Sequence, residues 1–222
     1  MNTLVRTLAT VLLSAATVAA CTPLTPPSQE LPSLTARANG GDVDAQLRLA
    51  QMYDSGVGAP ANAEEAEKWY RRAAETGNAE GQNGLGSGAQ AKRRYEEARR
   101  WYELAAQQNH AMAIANLGAL YDLGLGVPQD RKRGFDLYMR AADLGEPMAM
   151  WNLANMYGAG QLGAKDMVTA CIWTRRALYY SEIGSAVAFH ASRAMSAMTK
   201  ALSLQDLQAC AQQEHDWKPM KS

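Results

Sequence analysis

The chain has 222 residues, with 22 Lys and Arg set against 22 Asp and Glu, and 47% of it is hydrophobic. Such a balance excludes the basic footprint of a nucleic-acid binder and of a protein that holds an anionic membrane surface by charge. Three cysteines and three histidines, spread along the chain, exclude a disulfide-dense scaffold and show no metal-ligand spacing, so no metal and no cofactor are expected.

In residues 1–20, Arg6 is the only charge, and the uncharged run Thr7–Ala20 leads through small residues into Cys21. This is the layout of a signal peptide whose apolar run is too short for a permanent span. The string Val18-Ala19-Ala20-Cys21 resembles the bacterial lipobox, with Val a tolerated departure from the usual Leu. The resemblance implies a lipoprotein signal peptide over 1–20 and a lipidated Cys21; ordinary cleavage leaving a free thiol is the alternative. Several acyl chains make a stable anchor, because each buried CH₂ adds roughly 0.8 kcal/mol. In bacteria that sort lipoproteins by the residue after the cysteine, Thr22 points to the outer membrane, facing the periplasm. Without Arg6 the remaining chain has 21 basic and 22 acidic residues.

Pro23, Pro26, Pro27 and Pro32 make residues 21–34 read as an extended tether. At ~3.1 Å per residue it reaches about 40 Å.

From residue 41 the sequence repeats. Segments 41–76, 77–108, 109–144 and 145–180 align, with Leu49, Leu85, Leu117 and Leu153 at one position and Ala73, Ala105, Ala141 and Ala177 at another. Trp69, Trp101, Leu137 and Trp173 share a third position, followed by Tyr70, Tyr102, Tyr138 and Thr174. Periods of this length mean stacked supersecondary units, none of which buries its apolar face alone. In the first unit, Ala45, Leu49, Met52 and Tyr53 mark one face of a helix over Val43–Tyr53. Ser55-Gly56-Val57-Gly58-Ala59-Pro60 stops that helix, and Asn62 is placed to cap a second one running to about Ala74. Small residues at Ala50, Gly86, Gly118 and Ala154 allow close backbone approach, with the Trp–Tyr pair filling the space between units. The architecture expected is an all-α, right-handed αα-hairpin solenoid of four repeats with C-terminal capping helices over 181–222.

The second unit departs from this pattern. It lacks four residues between Gly86 and Tyr95, loses the recurrent tyrosine, and carries Gly81, Gly84, Gly86 and Gly88. Each interior glycine costs roughly 0.5–1 kcal/mol relative to Ala, so its first helix is expected to be the weakest. Loss of Trp101, in that unit, is expected to hurt more than loss of Trp69. Residues 182–202, with Ile183, Val187, Phe189 and Met195, read as a longer capping helix, and Ser203-Leu204-Gln205-Asp206 as a capping box for a last helix. Cys171 and Cys210 fall on helices expected to stack, which leaves a disulfide and two buried thiols both open.

The pattern Ala-x-x-x-Leu-Ala/Gly-x-x-Tyr, a Gly-x-Gly loop and Ala-x-x-Trp-Tyr-x-x-Ala-Ala resembles the Sel-one-like repeat family, relatives of the tetratricopeptide repeats. The resemblance covers about residues 41–180. It implies a non-enzymatic adaptor that binds a protein or peptide partner, many members being exported in bacteria. Some similar lipoproteins are immunity proteins against toxins delivered to the periplasm, which is the alternative reading. A cell-wall-active or β-lactam-hydrolysing enzyme is the rival from another class. The relatives described in that way carry a regular Cys pair in each repeat, and this chain has none. The charged second-helix residues Glu64, Glu65, Glu67, Glu96 and Glu97, set among Arg and Lys, read as a solvated, salt-bridged face.

With Leu49 facing the core, positions 44, 47, 48 and 51 fall on the opposite side at 100° per residue. In tetratricopeptide-like stacks that side lines the concave wall. The stripe supplies the candidate partner-binding residues Arg48, Gln51, Asn116, Met148, Trp151, Asn152 and Asn155. Asn116 and Asn152 share one position, at which the resemblance to tetratricopeptide domains implies amides that hold a ligand's backbone, simple solvation being the alternative; Trp151 is placed either to anchor an apolar group or to pack under the cap helix.

Overall fold

Helix length in the computed structural model is as regular as the sequence period. Residues 30–214 are described; the signal segment 1–20, Cys21 and the first part of the tether lie outside them. Among the described residues there are eleven helices and no strand: α1 (Leu31–Asn39), α2 (Val43–Ser55), α3 (Ala63–Glu75), α4 (Ala79–Ala91), α5 (Tyr95–Gln107), α6 (Ala111–Leu123), α7 (Arg131–Asp143), α8 (Pro147–Ala159), α9 (Met167–Tyr180), α10 (Ala186–Ala201) and α11 (Leu204–Glu214). The pairs α2–α3, α4–α5, α6–α7 and α8–α9 are the four repeats, each helix packing on the next in chain order.

Side-chain caps set the helix starts. Asn62 Oδ1 accepts from the amides of Glu64 and Glu65, and Asp42, Asn78, Asp130 and Asp166 cap α2, α4, α7 and α9 in the same way. A cap of this kind contributes typically ~1 kcal/mol. At the other end of α2, Gly56 takes φ 73°, the left-handed turn that stops the helix. Seven residues (56–62, 124–130 and 160–166) join the helices of the first, third and fourth repeats, but only 92–94 join α4 to α5. The four missing residues are therefore taken entirely from the loop. α4 keeps its full 13 residues despite its glycines, and the tight turn forces Arg93 to φ 58°.

The tether ends sooner than its prolines suggest. Residues 31–34 already belong to α1, with Pro32 in the first turn, where no helical N–H is required of it. Leu34 and Ala38 are buried with Leu49 and Trp69, so α1 caps the N-terminal end of the stack. Gln46 Nε2 donates to the Ala38 carbonyl at 3.1 Å and locks that contact.

At the far end α10 begins at Ala186, later than the 182 expected, which leaves Ile183 in the preceding loop and fully exposed. Val187 is buried, whereas Phe189 faces out. The Asp206 amide donates to Ser203 Oγ at 3.1 Å, and the Ser203 hydroxyl donates to Asp206 Oδ2 at 2.7 Å, starting α11. A disulfide joins Cys171 of α9 to Cys210 of α11. No described helix is long and apolar enough to cross a membrane.

The aromatic pair does not pack as the sequence suggested in the second repeat. Tyr102 is 1% exposed, whereas Trp101 is only half-buried. A Cβ on Gly86 would collide with the Tyr102 ring, so the missing side chain draws the tyrosine fully inside. The tryptophan, about 100° round the helix, is left at the margin. The apolar core is also divided: one cluster joins α1, α2 and α3, a second runs from α4 to α10, and a small third one surrounds Cys171, Ile172 and Cys210.

Candidate functional site

Along the stack α4 meets α6 and α6 meets α8 directly, an approach that α3, α5 and α7 do not match. The first helices therefore form the inner curve, and their outward stripe is the candidate wall.

Arg48, Gln51, Met148 and Asn155 are exposed on that stripe, while Asn116 and Asn152 are half-buried. On this stripe, side-chain bonds bridge consecutive repeats: Gln51 Nε2 donates to Glu80 Oε1, and Asn116 Nδ2 donates to Asn83 Oδ1 at 3.1 Å. Arg48 reaches Glu30 at 3.5 Å, an exposed pair. The stripe is not open throughout. Asn83 and Ala115 are buried, and Trp151 is half-buried, packed against the main core with its ring stacked on His190 of α10 at 6.2 Å. The reason is geometric. A first helix inside the stack touches second helices on two sides and another first helix on a third, so a single core face underestimates what it covers.

A cleft of about 580 Å³ opens on the same wall between the first and second repeats, and the stripe had included only part of it. Glu80, Asn83, Gly84 and Ser87 of α4 form one side, with Ala66, Glu67 and Tyr70 of α3 opposite. The other repeats carry Arg48, Asn116 and Asn152 at the position of Gly84, and Met52, Leu120 and Met156 at that of Gly88. A Cβ on Gly84 would collide with the Tyr70 ring, so the glycine lets the ring lie on the α4 backbone. A Cβ on Gly88 would meet nothing within 4 Å, so the loss of its side chain is a loss of filling. The sequence signal for the cleft lies in these glycines, which vacate side-chain volume as well as lowering helix propensity.

The electrostatics of the cleft are uneven. Lys92 at 2.6 Å holds the Glu67 carboxyl below its ordinary value, helped by Arg71 at 2.9 Å and opposed by burial. Burial pushes the Tyr70 phenol up to about 12, and the carboxylates of Asp54 and Glu80 add to the rise. Among the described residues no group of three or more His, Cys, Asp or Glu is placed to hold a metal ion.

The Sel1 repeat profile matches residues 43–78, 79–110, 111–146 and 147–179, one match per helical pair. This chain belongs to the Sel1 repeat family. Sel1 repeats are generally protein–protein interaction scaffolds. Among solved structures, the chain is similar to c5321, a protective antigen present in uropathogenic Escherichia coli strains that displays an SLR fold. The TM-score is 0.71 at 27% identity, over 83% of this chain and 39% of that one. This Sel1 chain thus spans well under half of that protein. It is also similar in fold to a Sel1 repeat protein from Oxalobacter formigenes, with a TM-score of 0.64 at 24% identity over 82% and 78% of the two chains. No curated protein matches.

Proposed function

We propose that this Sel1 protein is a lipid-anchored adaptor that holds a protein or peptide partner along its first-helix wall, on the periplasmic side of the outer membrane. The observation that carries the binding role is the wall itself. It joins exposed Arg48, Gln51, Met148 and Asn155 to an open cleft on the same face of the helical stack. Anchoring and location rest on Val18-Ala19-Ala20-Cys21 followed by Thr22.

Site-specific photo-crosslinking in the envelope tests both parts. A crosslinking residue at Met148 or Asn155 is expected to give a discrete adduct in the membrane fraction, and one at Lys132, exposed on α7, to give none. In a Cys21→Ser background the adduct is expected to leave the membrane fraction. Equal adducts at Lys132 would overturn the wall, and membrane retention of the Cys21→Ser form would overturn the anchor.

A further inference from the structure

In the third repeat, the α6–α7 loop folds back onto the start of α5, where a Cβ at Gly126 would lie 2.6 Å from that of Tyr95. The equivalent loop of the second repeat is four residues shorter and cannot reach the start of α3 in that way. Ala63, Ala66 and Glu67, at that start, face the cleft instead. The hollow is therefore built by two independent departures of one repeat, a deleted loop and two glycines.

Its lining is selective in charge. Glu67 is neutralised by Lys92 and Arg71, whereas Glu80 accepts from the neutral Gln51 amide, and Asp54 has no cation paired with it among the described residues. Two carboxylates with no cation paired to them among the described residues thus lie with the Tyr70 ring on a cleft lined otherwise by small residues, Asn83, Ser87 and Met112, and by Lys92, whose ammonium is held on Glu67. Its volume of about 580 Å³ falls within the roughly 300–1,000 Å³ of small-ligand sites, enough for one long side chain and the backbone that carries it.

We propose that the cleft is a socket for one arginine side chain of a partner peptide, its guanidinium held by Asp54 and Glu80 and stacked on Tyr70, its methylene stem lying against Ala66 and Gly88. Arginine fits better than lysine because its guanidinium is planar, weakly hydrated, stacks on aromatic rings and pairs with carboxylates through a fork of donors. The socket deepens the adaptor reading, since a peptide must deliver the side chain.

The probe is acetyl-Gly-Ala-Arg-Ala-Gly-amide, titrated into the purified full-length chain and followed by backbone amide NMR shifts. Saturable shifts are expected at Gly84, Ser87 and Gly88. The citrulline peptide, nearly isosteric but uncharged, is expected to bind at least ~10-fold more weakly, as loss of a charge-assisted pair implies. The preference is expected to vanish in the Asp54→Asn/Glu80→Gln variant. Gly88→Met, which restores the side chain borne by Met52 and Met156, is expected to close the cleft and abolish the shifts. Absence of binding, equal binding of the citrulline peptide, or a preference that survives the double variant would overturn the socket. Because the probe is a free peptide, those outcomes leave the photo-crosslinking result at Met148 and Asn155 standing separately.

Discussion

Tyr102 concentrates the packing of the second repeat in one side chain. Its ring occupies the space beside Gly86, and its hydroxyl lies 3.0 Å from Gln90 Oε1 and 3.4 Å from Ser87 Oγ. Tyr102→Ala removes a fully buried ring from a helix pair already weakened by interior glycines. Truncating a buried aromatic typically costs about 3–5 kcal/mol, a large part of a domain's stability of roughly 5–15 kcal/mol. Trp101→Ala is expected to cost less, because part of that ring already lies in water. Urea unfolding of the two variants checks the order; a larger loss from Trp101→Ala would place the core on the wrong residue. Which of two neighbouring aromatics goes inside was not legible in the repeat pattern. The pattern reports that both recur, and only the close approach of α4 to α5 at Gly86 decides between them.

At the level of helices, the ends of α6 and α11 carry testable constraints. His110 caps α6 through Nδ1, which accepts from the Ala113 amide at 3.3 Å and must be neutral to do so. Burial lowers its folded-state value below the ordinary 6.5, with Glu80 opposing. A histidine lowered on folding contributes stability that is full above about pH 6.5 and is lost as pH falls through the folded value. Melting temperature is therefore expected to drop more in the parent than in His110→Asn between about pH 7.5 and about pH 5, since Asn caps without titrating. Equal drops would remove His110 from that role. The disulfide pins α11 to α9 across a separation of 39 residues. Chain-entropy reasoning gives about 4 kcal/mol for closing a loop of that size, as an upper figure. Cys171→Ser/Cys210→Ser is expected to expose α11 and α10 amides to hydrogen exchange while the amides of α4–α7 stay protected. Uniform loss of protection would mean that the cap and the repeats unfold as one unit. The capping box at Ser203 was readable because a polar cap and its acidic partner three residues on have one local use. α1 was not, since Pro23, Pro26, Pro27 and Pro32 signal extension even though Pro32 sits in a first turn that tolerates it.

Across the whole molecule, the two larger apolar clusters meet at the seam between α3 and α4, and the cleft opens there. The four-fold period and the helix pair within each unit were legible, because they follow from spacing that each unit repeats; the inner place of the first helices came with the resemblance to tetratricopeptide repeats. The cleft was not. It is made by what the second repeat lacks, a stretch of loop and the side chains at positions 84 and 88, and missing volume leaves no residue to read. The same applies to Trp151, whose place beside His190 depends on where α10 comes to rest. That contact makes Trp151 a poor probe of binding, since its loss also loosens the cap. Met148 and Asn155, exposed on the same helix, are free of that ambiguity. The central claim, that the first-helix wall holds the partner, is tested most directly by calorimetric titration of the partner captured at these positions. Met148→Ala/Asn155→Ala is expected to weaken Kd by at least ~10-fold, about 1.4 kcal/mol, with an unchanged melting temperature, while Lys132→Ala on the outer helix binds as the parent does. Parental affinity in the double variant, or an equal loss from Lys132→Ala, would contradict it.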